Sequence, residues 1–133
     1  ADVDKLMALT DPANVFLLFD TGHAYFGGAQ DPVTLLQKHV KRVAHVHCKD
    51  VRAKVIDQAR NESWSFLNGV INGTFTVPGD GALDYEAVLS TLKNAGYEGW
   101  LVVEAEQDPA VAPSYEYAKK GYDTLRAIVD RLG

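Results

Sequence analysis

The sequence predicts an α/β fold of about four βα units with parallel strands, the C-terminal half of a (β/α)8 barrel. Three observations lead there. Short apolar runs alternate with amphipathic stretches along all 133 residues. Carboxylates and imidazoles cluster at the C-terminal ends of those runs, where a barrel places its chemistry. The turn after the first run, Asp20-Thr-Gly-His23, carries charge where a doubly wound sheet usually has a glycine-rich phosphate loop. A closed barrel takes about 250 residues, so four units are roughly half of one, read here as strands five to eight. Residues 1–133 are expected to form a single unit.

The elements run in order along the chain. It starts at Ala1 without a methionine, on a short amphipathic stretch (Val3, Leu6, Met7, Leu9) that resembles the end of a helix, so a preceding segment is expected. Val15 to Phe19 is continuously apolar, the pattern of a strand buried on both faces. Asp31-Pro32 supplies an N-cap and a first-turn proline to a helix of about two turns striped with Val33, Leu35, Leu36 and Val40. Val43 to Cys48 reads as the second strand, with His45 and His47 on one face because side chains two apart in a strand point the same way. Residues 51–72 read as helical with a break at Asn61-Glu62-Ser63. Thr74 to Val77 is β-branched and aromatic and reads as a third strand, stopped by Pro78-Gly-Asp-Gly81. Asp84 caps a helix that ends near Gly96. Trp100 to Val103 is the fourth strand. After a polar loop, Tyr115 to Leu132 is helical, striped with Tyr122, Leu125, Ile128, Val129 and Leu132.

Composition narrows the function. The net charge of −5 and pI near 5.2 argue against nucleic acid, because phosphate-backbone binding draws its affinity from clustered Lys and Arg. No apolar run approaches the roughly 20 residues of a bilayer-spanning helix, so no membrane partner is expected. The single cysteine, Cys48, cannot form an internal disulfide and no secretory leader opens the chain, which points to the cytoplasm. Cys48 alternates away from His47 and reads as a small buried hydrophobe.

Three motifs end apolar runs: Phe-Leu-Leu-Phe-Asp20-Thr-Gly-His23, His45-Val-His47-Cys-Lys49-Asp50 and Trp-Leu-Val-Val-Glu104-Ala-Glu106-Gln-Asp108. A strand-end Asp is often only a cap, and a lone His is often a core residue bonded to a carbonyl. Asp20, His47 and Glu104 at three strand ends nevertheless form a coherent divalent-metal set. His23 reads as a turn cap or a substrate contact. Lys49 either pairs with Asp50 or enters the site, where it would orient a hydroxyl or stabilise negative charge. Glu106 and Asp108 read as a solvated acidic rim, and Gly79-Asp80-Gly81 as a tight turn.

Asp-Thr-Gly-His, His-Val-His-x-Lys-Asp, Phe75-Thr-Val-Pro-Gly-Asp-Gly81 and above all Gly99-Trp-Leu-Val-Val-Glu-Ala-Glu-Gln-Asp-Pro109 resemble the inosose dehydratases of myo-inositol catabolism. These are members of the sugar-phosphate isomerase and epimerase (xylose isomerase-like) barrel superfamily. The resemblance runs from about Val15 to the C-terminus. It implies a metal held by Asp20, His47 and Glu104 together with a further glutamate that would lie upstream of Ala1. It implies Mn2+ or Co2+ as the ion and a polyol ketone, 2-keto-myo-inositol, as the substrate. Glu104 would stand near the reacting carbon, His23 would contact a substrate oxygen, and Lys49 would stabilise charge. The general acid is not assignable.

Two rivals remain. A ketose isomerase or epimerase would keep the metal set and change the pocket. A non-catalytic folded fragment would expose sheet edges and an inner face, surfaces that tend to pair. Self-association of the isolated chain, without activity, is therefore expected. Apurinic endonucleases share an Asp-Thr-x-His motif, but Thr74-Phe-Thr-Val-Pro78 offers none of the additional ligands they need.

Overall fold

The computed structural model describes residues 2–28 and 31–133. Its elements are α1 (Asp2–Leu9), β1 (Leu17–Asp20), α2 (Thr21–Gly27), α3 (Pro32–His39), β2 (Val43–Cys48), β3 (Asp50–Val51), α4 (Ala53–Asn61), α5 (Phe66–Ile71), β4 (Phe75–Thr76), α6 (Tyr85–Asn94), β5 (Leu101–Val103) and α7 (Ser114–Leu132). Strands β1, β2 and β5 form a parallel sheet in that order. Helices α3, α6 and α7 cover one face of it. There Phe19, Val46 and Cys48 pack with Leu36, Val88, Leu89, Leu92, Leu125 and Ile128. Burying each large side chain of this kind is worth roughly 1.5–3 kcal/mol, which ties the helical layer to the sheet. Burial also pushes the Cys48 thiol up to about 12, in keeping with its expected role as a small hydrophobe.

Local signals explain the ends. Asp31 accepts the Thr34 N–H at 3.0 Å and Asp84 accepts the Ala87 N–H at 2.9 Å, so both predicted caps close their helices. The first strand starts later than the sequence predicts. The Val15 carbonyl is taken by the Arg42 guanidinium at 2.7 and 3.0 Å, which anchors the approach to the sheet outside the ladder.

Three expectations are corrected. The residues after Asp20 form a helix, α2, where the sequence suggested a loop; the Asp20 carboxylate itself caps it, accepting the His23 N–H at 2.8 Å. Thr74 to Val77 does not enter the parallel sheet. Phe75–Thr76 pairs antiparallel with Asp50–Val51 in a separate two-stranded ribbon, and β2 pairs directly with β5. Arg52 fixes that ribbon by donating to the carbonyls of Gly73 and Phe75 and to Thr76 Oγ1. The sheet therefore holds three parallel strands among the described residues, not four. In α7 the inward face comes from Leu125 and Ile128, while Tyr122 is exposed; an aromatic ring with a polar tip is tolerated at the surface.

Among the described residues, none forms a layer on the opposite face of the sheet. Asp20, His47 and Val102 share one register row, and Leu18 pairs with His45. By alternation, Leu18, His45, Trp100 and Val102 face that side with the site above them. Leu18 is 50% exposed and Trp100 77%.

Candidate metal centre

Asp20 divides its carboxylate between two tasks. Oδ1 caps α2, and Oδ2 turns to the end of β2, 3.6 Å from His47 Nδ1 and 3.4 Å from Lys49 Nζ. His47 Nδ1 stands 3.9 Å from Glu104 Oε2. One ligand atom from each of Asp20, His47 and Glu104 lies within 4.8 Å of the other two. The two measured gaps fall between the cis and trans spacings, about 3.0 and 4.2 Å, of ligands roughly 2.1 Å from one octahedral ion. The three strand-end residues singled out in the sequence are thus brought together.

The second half of the cluster is built around Lys49. Its side chain is 1% exposed, and Nζ lies 2.6 Å from Glu104 Oε2, 2.8 Å from His23 Nε2 and 3.3 Å from Glu106 Oε2. An ammonium only donates, so His23 Nε2 is the acceptor in this contact. Burial pulls the lysine pKa down, but the contact with Glu104 and the charges of Asp20, Glu104 and Glu106 outweigh it and the net shift is upward. Lys49 therefore stays charged. Phe75 lies beneath, its ring centroid 5.0 Å from Nζ, and His23 packs between Phe66 and Phe75 at 5.8 and 5.1 Å between ring centroids.

Backbone anchors hold the lysine in place. Thr21 Oγ1 accepts the Lys49 N–H at 3.0 Å and donates to the Lys49 carbonyl at 2.8 Å. The one Thr21 proton is aimed at carbonyls, that of Lys49 and, more weakly, that of His47 at 3.3 Å, so the Tyr85 hydroxyl, 2.9 Å away, must donate. Gly22 leaves the path for the stem: a Cβ there would sit 2.7 Å from Lys49 Cγ and 3.0 Å from its carbonyl oxygen. Only glycine fits that approach.

Lys49 and Asp50 do not pair with each other. Asp50 turns into the Pro78-Gly81 turn, fully buried, and accepts the N–H groups of Val51 at 2.8 Å, Leu83 at 2.9 Å and Gly79 at 3.3 Å. Burial raises its pKa in spite of those bonds. Asp80, in the same turn, is held by Arg52, Thr76 and Lys120. Gln107 donates to Thr76 Oγ1 at 3.2 Å, tying the loop after β5 to this turn and so steadying Glu104 and Glu106.

Glu106 is more than a solvated rim. Its Oε2, like Glu104 Oε2, is buried and accepts no well-angled hydrogen bond. Period-two alternation from Glu104 was the signal that could have found it. Three carboxylates sharing the single ammonium of Lys49, beside the His47 imidazole, are an acceptor surplus that suits a divalent cation. Asp20, His47 and Glu104 are the residues that can hold it.

The model of xylose isomerase-like TIM barrels matches residues 1–128. The chain belongs to that family. Its sequence is 54% identical over 128 residues to an inosose dehydratase of Klebsiella pneumoniae subsp. pneumoniae, covering 95% of this chain and 42% of that protein. It is 52% identical over 125 residues to an inosose dehydratase of Clostridium botulinum, covering 94% and 42%, and 53% identical over 125 residues to one of Geobacillus thermodenitrificans, again 94% and 42%. The chain thus spans about 42% of the length of these curated relatives. Among solved structures, a xylose isomerase domain protein of Planctomyces limnophilus superposes with a TM-score of 0.64 at 23% identity, over 96% of this chain and 41% of that one. A D-tagatose 3-epimerase-like protein superposes with a TM-score of 0.56 at 22% identity, over 96% and 42%. At such identities these two establish the shared barrel architecture alone. The antiparallel ribbon β3–β4 and the three-stranded parallel sheet are therefore features of part of a xylose isomerase-like barrel.

Proposed function

We propose that the complete polypeptide containing this chain is a metal-dependent hydro-lyase that dehydrates 2-keto-myo-inositol (scyllo-inosose) to a trihydroxycyclohexane-dione, in the cytoplasmic breakdown of myo-inositol. The observation that carries this is the convergence of Asp20, His47 and Glu104 in a chain about half identical to proteins named inosose dehydratase.

The residues divide the work. Asp20, His47 and Glu104 would hold a hard divalent ion, Mn2+ or Co2+, with a further carboxylate from elsewhere in the protein. When bound, such an ion supplies Lewis-acid polarisation of a ketone oxygen and of its neighbouring hydroxyl. By its resemblance to the family's strand-end glutamate, Glu104 is the candidate to take the proton from the substrate's α-carbon. His23, the exposed member of the cluster, would contact a substrate oxygen. Lys49 faces the negative charge that develops as the proton leaves. Phe66, stacked on His23, gives the rim an apolar wall and limits water there.

The test is turnover of 2-keto-myo-inositol by the full-length protein, stripped of metal and resupplied with Mn2+ or Co2+, monitored by mass spectrometry. Loss of one water from the substrate, dependent on the ion, is the expected result. Metal-dependent epimerisation of ketoses without loss of water would replace this reading with the isomerase one.

A further inference from the structure

The acidic cluster contains its own cation, and that cation cannot leave. Lys49 Nζ lies 2.6 Å from Glu104 Oε2, 3.3 Å from Glu106 Oε2 and 3.4 Å from Asp20 Oδ2. Its stem passes over Gly22, its backbone is bonded on both sides by Thr21, and its side chain is buried. A lysine on the surface would swing into water; this one has no route there. One ammonium thus faces three carboxylates, so the cluster keeps an excess of negative charge. Glu104 Oε2 is the shared atom, closest to Lys49 and also the oxygen that faces His47 Nδ1.

We propose that Lys49 is a positioning residue with two linked effects: it keeps Glu104 and Glu106 in place when no ion is bound, and, by competing for Glu104 Oε2, it weakens the hold of the Asp20-His47-Glu104 set on a divalent ion. The ion then exchanges readily instead of being a permanent structural part. This rests on the metal reading above. Its physical basis is that buried carboxylates without a counter-charge repel one another strongly, while a fixed positive charge a few ångströms from a second cation site lowers affinity there.

The experiment uses the full-length protein with Lys49→Met, Glu106→Gln and the double variant. Methionine keeps an unbranched apolar stem of similar size, and Glu106→Gln removes one negative charge with little change of shape. In chelator, Lys49→Met should melt well below the native protein, and adding Glu106→Gln should recover much of that loss. A purely volumetric role for the lysine would give no such recovery. By Mn2+ titration, Lys49→Met should bind the ion about ten-fold or more tightly than the native protein, and its melting temperature should rise more on Mn2+ addition. Glu106→Gln alone should bind Mn2+ more weakly.

If Lys49→Met does not fold in chelator, folding of the double variant supports the proposal, and failure of both overturns it. Native-like melting of Lys49→Met in chelator, or equal or weaker Mn2+ binding by it, also overturns it. A native protein that binds no Mn2+ or Co2+ would refute the metal reading and the competition effect with it, while the chelator arm still decides whether Lys49 holds the carboxylates.

Discussion

Thr21 Oγ1 bonds both the N–H and the carbonyl of Lys49, at 3.0 and 2.8 Å, and so locks the first residue of α2 to the end of β2. Because Asp20 precedes Thr21 and His47 lies two residues before Lys49, this one hydroxyl fixes the spacing of two candidate ligands. Thr21→Val keeps the shape and removes the hydroxyl, leaving the Lys49 N–H and the Tyr85 hydroxyl buried without a partner. Each such group costs roughly 1–3 kcal/mol. Denaturant unfolding of the full-length protein should show a loss of about 2–5 kcal/mol, with Thr21→Ser close to native. A loss near zero would mean that water replaces the hydroxyl.

Gly22→Ala should disturb the site more than the surface. The added Cβ meets the Lys49 stem at 2.7 Å and its carbonyl at 3.0 Å, and the stem can yield only by moving Nζ away from Glu104. Overpacking of this kind costs about 1–3 kcal/mol. Calorimetry should report that drop together with altered Mn2+ affinity. An unaltered melting temperature would show that the helix shifts freely.

Much of this could be read in the chain because strand ends and caps depend on local pattern. Asp20, His47 and Glu104 each end an apolar run, so their convergence came from parallel pairing alone. Asp31 and Asp84 were recognisable as caps from the amphipathic stretch that begins directly after each. The β3–β4 ribbon was not legible, because its pairing is set by Arg52 reaching the carbonyls of Gly73 and Phe75 more than 20 residues away. The partners of Lys49 and Asp50 were hidden for the same reason: adjacent side chains at a strand end diverge, one to the site and one to the turn.

Acid below the ordinary aspartate range should weaken the turn that holds Asp80. Burial alone would raise this carboxyl, but the bonds from Lys120 and Thr76 and the Arg52 charge win, and its pKa lies below the ordinary value. A depressed folded-state pKa contributes stability above the usual aspartate range near 3.9, and that contribution is lost as pH falls below that range and through the lowered folded-state pKa. Asp80→Asn should therefore be less stable than native at pH 6, and the gap should narrow as pH falls below the ordinary aspartate range. A gap that widens in acid would reverse the sign of this assignment.

The isolated 133-residue chain should associate. Its sheet leaves Leu18, Trp100 and Phe16, the last 57% exposed, on a face that no element among the described residues covers, and there β1 and β5 end the sheet with one partner each. Apolar faces and open strand edges drive pairing. Sedimentation should show a dimer or larger species without dehydratase activity. A compact monomer that unfolds cooperatively would contradict this.

The metal centre is tested most directly by the metal content of the full-length protein after equilibration with Mn2+ and removal of free ion, compared between the native protein, His47→Ala and Glu106→Ala. His47 faces both Asp20 and Glu104, whereas Glu106 lies against Lys49 and His23. About one ion per chain is expected in the native protein and in Glu106→Ala, and close to none in His47→Ala, because loss of a ligand removes the ion while loss of a neighbour only adjusts it. Equal retention in His47→Ala, or equal loss in both variants, would place the ion on a different set of residues.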